Sequence, residues 1–153
     1  MEIERSIVLA ASADAVFALV DDLDRYPQWM QLVHDVAIAP PTDDDQPAWE
    51  VELQAQVGPF ARSKRLRMVR TVHEPTSAVV FERDELDGRR HSPWVLRCAI
   101  VPDAGEHVRL TMTLVYGGNL WTGAVLQRVL DDHVERGAVE LSALLADRGR
   151  PVD

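Results

Sequence analysis

Residues 94–116 read WVLRCAIVPDAGEHVRLTMTLVY. Apolar side chains fall on every second position: Trp94, Leu96, Cys98 and Ile100, then Val108, Leu110, Met112, Leu114 and Tyr116. A period of two marks a strand with one face in the core. Between the two runs, Asp103-Ala104-Gly105 suits a three-residue hairpin with glycine in the left-handed conformation. That hairpin pairs residue 102 with 106 and sets Trp94 opposite Leu114.

The pattern recurs toward the N-terminus. Val79 and Phe81 share a phase with Arg83; Leu66, Met68 and Val72 share one with Lys64 and Arg70; Trp49, Val51, Leu53, Ala55 and Val57 form another row. Turns are expected at Asp87-Gly88, Pro75-Thr76 and Gly58-Pro59, pairing 86 with 89, 74 with 77 and 57 with 60. These registers set Leu53 opposite Lys64, Arg70 opposite Phe81 and Phe81 opposite Trp94. Every apolar phase then lies on one side, which predicts an antiparallel meander over 48–116 with a single buried face.

The flanks supply the rest. IERSIVL (3–9) alternates as a first strand. Ser12 reads as the N-cap of a helix with Asp14 in its first turn and Val16, Phe17, Leu19 and Val20 on its apolar face. Pro27 interrupts that pattern and suits the first turn of a second short helix over 26–31. VHDVAIA (33–39) reads as a strand, and PPTDDDQP (40–47) as the connection to the meander. After the meander, Leu126, Leu130, Val134, Leu141 and Leu145 recur at helical spacing, and Asp132 with Arg136 suits an i, i+4 pair. This predicts an amphipathic helix over 120–147, ended by Gly149 and Pro151. A six- to seven-stranded sheet needs a cover on its apolar face, and only this helix is long enough. The expected class is α+β: one domain over 1–148 and a C-terminal tail, 149–153.

That order of elements is the order of a helix-grip fold. ASADAVFALVDDLDRYPQWM (11–30) resembles the opening of the START-like superfamily, also called SRPBCC, which includes polyketide cyclases and dehydrases, aromatases and coenzyme Q-binding proteins. YGGNLW (116–121) resembles the corresponding stretch of bacterial members. The resemblance implies a curved antiparallel sheet wrapped around the long C-terminal helix, two short helices after strand 1, and an internal, mostly apolar cavity. The plant-allergen branch carries a glycine-rich loop where this chain has PPTDDDQP, so that branch is not implied. Two functions are implied. One is binding of a hydrophobic small molecule: a lipid, a quinone or a polyketide-like aromatic. The other is a polyketide aromatase/cyclase that folds and dehydrates a poly-β-keto substrate in the same cavity.

Trp29, Trp49, Met68, Phe81, Trp94, Met112, Tyr116 and Trp121 are candidates for the cavity wall, although a sheet–helix core uses the same residue types. Arg70 and Arg83 fall on the inward phase. Each either snorkels to water from a strand end or holds a polar group of the ligand. His133 lies on or beside the apolar stripe of the last helix and suits a hydrogen-bonding or general-base role. Two breaks are flanked by rings: Pro27 by Tyr26 and Trp29, and Gly117-Gly118 by Tyr116 and Trp121. Both are expected to border the cavity mouth.

Composition excludes other classes. The 153 residues carry a formal charge of −9 with a sequence pI near 4.9. Nucleic acid and anionic membrane are therefore repelled at long range. The basic cluster Arg62, Lys64, Arg65, Arg67 and Arg70 would be split by a strand between two faces. With the single cysteine, Cys98, no internal disulfide forms. The acidic start MEIERSIVLA is not a signal peptide, and nothing reaches the length of a membrane span, so stable insertion is not expected and the cytoplasm is the expected compartment. The histidines (His34, His73, His91, His107 and His133) make no HExxH pattern, and no GxSxG occurs. Gly118 and Gly123 have P-loop spacing, but Ala124 replaces the lysine. No metal, cofactor or nucleotide is expected; the expected partner is a hydrophobic small molecule, and a homodimer remains open.

Overall fold

The computed structural model describes residues 1–117 and 124–148. Seven strands form one antiparallel sheet: β1 (Glu2–Leu9), β2 (Val33–Ala39), β3 (Ala48–Val57), β4 (Phe60–Glu74), β5 (Ala78–Arg83), β6 (Trp94–Pro102) and β7 (Val108–Tyr116). Their order in space is β1-β7-β6-β5-β4-β3-β2. The meander therefore runs unbroken from β2 to β7, and β1 closes onto β7. Helix α1 (Ala13–Val20) and a 3₁₀ helix (Leu23–Gln28) cross from one edge of the sheet to the other, and α2 (Ala124–Arg148) covers the inner face. This is the helix-grip arrangement.

The alternation read from sequence is what orients the sheet. In β7, Val108, Leu110, Met112, Leu114 and Tyr116 are all buried, while the intervening residues are half-buried or exposed. Leu130, Val134, Ala138, Leu141 and Leu145 form the buried stripe of α2, and Asp132 pairs with Arg136 at 2.7 Å on its exposed side. An ion pair between Arg5 and Asp131 ties β1 to α2. The Ser12 side chain accepts from the Ala15 N–H and caps α1 as expected.

Register departs from expectation at three turns. Glu74 pairs with Ala78, not with residue 77, because Thr76 takes φ 66° and the turn holds one more residue. A β-bulge at Thr71 then absorbs the difference, so Arg70 still faces Phe81. The bulge also breaks the alternation: Val72 pairs with Val80 on the outer face and is 37% exposed, where the sequence pattern had placed it inside. Phe81 faces Leu96 and Trp94 faces Tyr116, each two residues from the expected partner. The first shift arises because Asp87-Gly88 sits inside a loop over 84–93 rather than in a tight hairpin; Arg83 bridges that loop to Glu85 and Ser92. The second arises because the Asp103 N–H donates to the His107 carbonyl (2.9 Å), moving the turn one residue along. A shift of two keeps every side chain on its face.

The second short helix is also displaced. It spans Leu23–Gln28, is 3₁₀ in character, and has Pro27 near its end rather than in its first turn. Asp22 caps it by accepting from the Asp24 N–H, which fixes the start earlier than proline alone suggests. The joint through Trp121 and the expected stop at Gly149 and Pro151 lie outside the described residues.

Candidate functional site

An apolar cavity of about 60 Å³ lies between the inner face of the sheet and α2. The strands contribute Val51, Leu53, Leu66, Met68, Trp94, Leu96, Met112 and Leu114; Val134 of α2 closes one side. The 3₁₀ helix and the segment after it contribute Leu23, Tyr26, Met30 and Leu32, and the start of β2 contributes Val33. The strand residues are there because they share the inward phase. The others are there because the crossing from β1 to β2 folds over the open end of the grip.

Below the cavity runs a series of rings. Trp29 and Tyr26 stand 4.6 Å apart, Tyr26 meets Phe81 edge-on at 6.0 Å, and Phe81 meets Trp49 edge-on at 5.6 Å. The Trp29 indole N–H donates to the Leu19 carbonyl at 3.2 Å, and the Tyr26 hydroxyl donates to the Val20 carbonyl at 2.7 Å. The two rings around Pro27 thus dock the 3₁₀ helix onto α1. The Tyr26 hydroxyl also contacts Cys98 Sγ at 3.5 Å. Burial holds both groups protonated: it raises the tyrosine well above its usual value and pushes the Cys98 thiol up to about 12. At the other end, Trp94 lines the cavity and packs on Tyr116 at 5.4 Å. The Tyr116 hydroxyl is buried with no hydrogen-bond partner among the described residues, and burial raises its pKa.

The predicted site residues divide accordingly. Met68, Trp94 and Met112 line the cavity. Trp29, Trp49, Phe81 and Tyr116 are buried and pack in the ring contacts around it. Trp121 lies outside the described residues, and with it half of the expected second ring-flanked break. Arg70 reaches the C-terminal end of α1: its Nη1 donates to the Asp21 carbonyl at 2.9 Å, and its guanidinium sits 6.0 Å from the Trp49 ring centre. A cation there complements the helix dipole, which accounts for an arginine on this phase. Arg83 Nε donates to Glu85 at 3.0 Å, beside the cavity's Met68. His133 is half-buried in a groove on the flank of α2 with Gln31 and Arg136; burial, then Arg136, lower its pKa against the opposing pull of Asp132.

Leu23, Tyr26 and Met30 also line the cavity, beyond the residues expected from sequence. Their i, i+3, i+7 spacing after α1 is the sequence signal for this, and Pro27 masks it by interrupting the helical pattern. No group of three or more histidine, cysteine, aspartate or glutamate side chains poised for a metal occurs among the described residues.

The comparisons with known proteins agree with this architecture. The family model described as polyketide cyclase / dehydrase and lipid transport matches residues 1–146. A protein from Thermus thermophilus superposes with a TM-score of 0.74 at 15% identity, over 98% of this chain and 100% of its own. A START superfamily protein from Mycobacterium smegmatis gives 0.73 at 18%, over 96% and 98%. The Zhui aromatase/cyclase from Streptomyces sp. R1128 gives 0.72 at 12%, over 98% and 96%. At these identities the likeness is one of fold. Among curated proteins, none matches the sequence.

Proposed function

The chain belongs to the polyketide cyclase / dehydrase and lipid transport family, and from that premise we propose that it binds a hydrophobic small molecule between the sheet and α2. The carrying observation is the character of the cavity wall. Every lining residue is Leu, Val or Met except Tyr26 and Trp94. The hydroxyl of Tyr26 is committed to Val20.

Cyclisation of a poly-β-keto chain asks for groups that polarise carbonyls and move protons. Among the described residues, those lining the cavity supply no acid or base beyond Tyr26, whose hydroxyl is committed to Val20; Arg70 is engaged with α1, Arg83 with Glu85, and His133 opens to a different groove. Binding without chemistry is the reading favoured by that arrangement.

The cavity at about 60 Å³ is smaller than the ~150 Å³ apolar void that admits benzene. Ligand entry on this reading requires the wall to give way. Three methionines, Met30, Met68 and Met112, stand in that wall, and their unbranched thioethers repack more readily than branched side chains. Native mass spectrometry of the protein as purified tests the reading. The expected result is a retained apolar adduct, or uptake of added naphthoquinone or oleate at one equivalent. Failure to retain or take up any apolar molecule counts against it.

A further inference from the structure

Lys64, Leu66 and Met68 follow one another along the inner face of β4. Opposite Lys64 stands Leu53, and opposite Met68 stands Arg83. Leu53, Leu66 and Met68 all line the cavity. Two cations therefore border a wall that is otherwise apolar.

Their countercharge is thin. Glu85 Oε1 accepts from Arg83 Nε at 3.0 Å and from the backbone N–H of Arg67 at 3.0 Å. Arg83 also donates to the Ser92 carbonyl at 3.2 Å and to its hydroxyl at 3.4 Å. Lys64 makes no salt bridge among the described residues, whereas Arg65, its neighbour on the outer face, is paired with Glu52 at 3.1 Å. The outward Arg65 thus has a carboxylate of its own, whereas the two inward cations share one, Glu85. Burial, and next the Arg83 charge, push the Lys64 pKa down, with Glu85 opposing. An added anion would favour the charged ammonium and so oppose both effects.

Resting on the cavity reading above, we propose that the ligand is an anionic amphiphile: its head sits between Lys64 and Arg83, and its apolar body lies among Leu53, Leu66 and Met68. A carboxylate and a phosphate monoester share the required chemistry, a compact anion that accepts hydrogen bonds from an ammonium and a guanidinium.

Displacement of the neutral fluorophore 1-aminoanthracene by decanoate, decyl phosphate and decanol at pH 7 tests this. At least one of the two anions is expected to displace it at about a tenfold lower concentration than decanol, the scale of one charge-assisted contact. The better anion then identifies the head as carboxylic or phosphate. Lys64→Met is expected to abolish that advantage while leaving decanol unaffected. Arg65→Met removes the same charge from the outer face and is expected to preserve it. Equal displacement by decanol and both anions on the wild-type protein overturns the inference but not the cavity reading, and so does an equal loss in both variants. If 1-aminoanthracene does not bind at all, the cavity reading fails and this inference falls with it.

Discussion

Tyr26 shows how one side chain joins local structure to the site. Its ring forms part of the cavity wall and makes a T-shaped contact with Phe81, and its hydroxyl holds the end of α1 through Val20. Tyr26→Phe keeps the ring and removes the hydrogen bond. It should lower stability by about 1–3 kcal/mol, because a buried carbonyl loses its donor. A urea denaturation series measures this; no change in midpoint would show that the bond carries no net stability. Cys98 gives a pH signature. Its folded thiol is pushed up to about 12 by burial, against about 8.5 for a free thiol. Between those values the unfolded chain loses the proton and the native chain keeps it, so stability falls as pH rises through that window. Cys98→Ala should show a shallower alkaline decline in urea midpoint than the wild type; parallel declines would contradict the assignment. At this scale the sequence was legible for phase and not for partner. Nothing in the order of residues says that Arg70 meets the end of α1, or that Tyr26 meets Cys98, since each contact joins segments far apart in the chain.

Among the elements, α2 carries an instructive irregularity. Gly137 lies in mid-helix, where glycine costs about 1 kcal/mol relative to alanine. A Cβ there would stand 2.7 Å from Met30 Cε and 2.9 Å from Met30 Sδ. Bare backbone thus makes room for the tip of a side chain that lines the cavity. In Gly137→Ala the helix gains propensity while the methionine must swing aside. The expected outcome is a net stability change within about 1 kcal/mol in either direction, with weakened binding of 1-aminoanthracene. Unaltered binding would mean that Met30 moves away from the cavity rather than into it. The strands teach a related lesson. Their faces were legible because alternation survives a slip of two, as between β5 and β6 and between β6 and β7. The bulge at Thr71 was not legible. It inserts a single residue, and only the pairing of both neighbours reveals that a longer turn at Thr76 needs it.

In the whole molecule, the cavity exists because α2 closes over the sheet. Leu130 and Leu141 are fully buried in that contact. Leu141→Ala should cost about 2–5 kcal/mol, measurable as a loss of urea midpoint. A cost below about 1 kcal/mol would mean that the helix is not packed against the sheet as described. The layer order was legible from the start, because a sheet with one apolar face and a single long amphipathic helix leave few alternatives. The cavity was implied by the family resemblance and not by the residue pattern, since its wall is built from residues that equally well fill a core, and only their failure to meet leaves the space. The most direct test of a ligand site in that space uses the methionines. The chain has four: Met30, Met68 and Met112 in the cavity wall, and Met1, which is exposed at the N-terminus. With ¹³C-labelled methionine methyl groups, titration with decanoate or 1-aminoanthracene should shift the three wall signals together and leave Met1 in place. Binding that leaves all three wall signals unchanged, whether or not Met1 moves, would contradict a site between the sheet and α2.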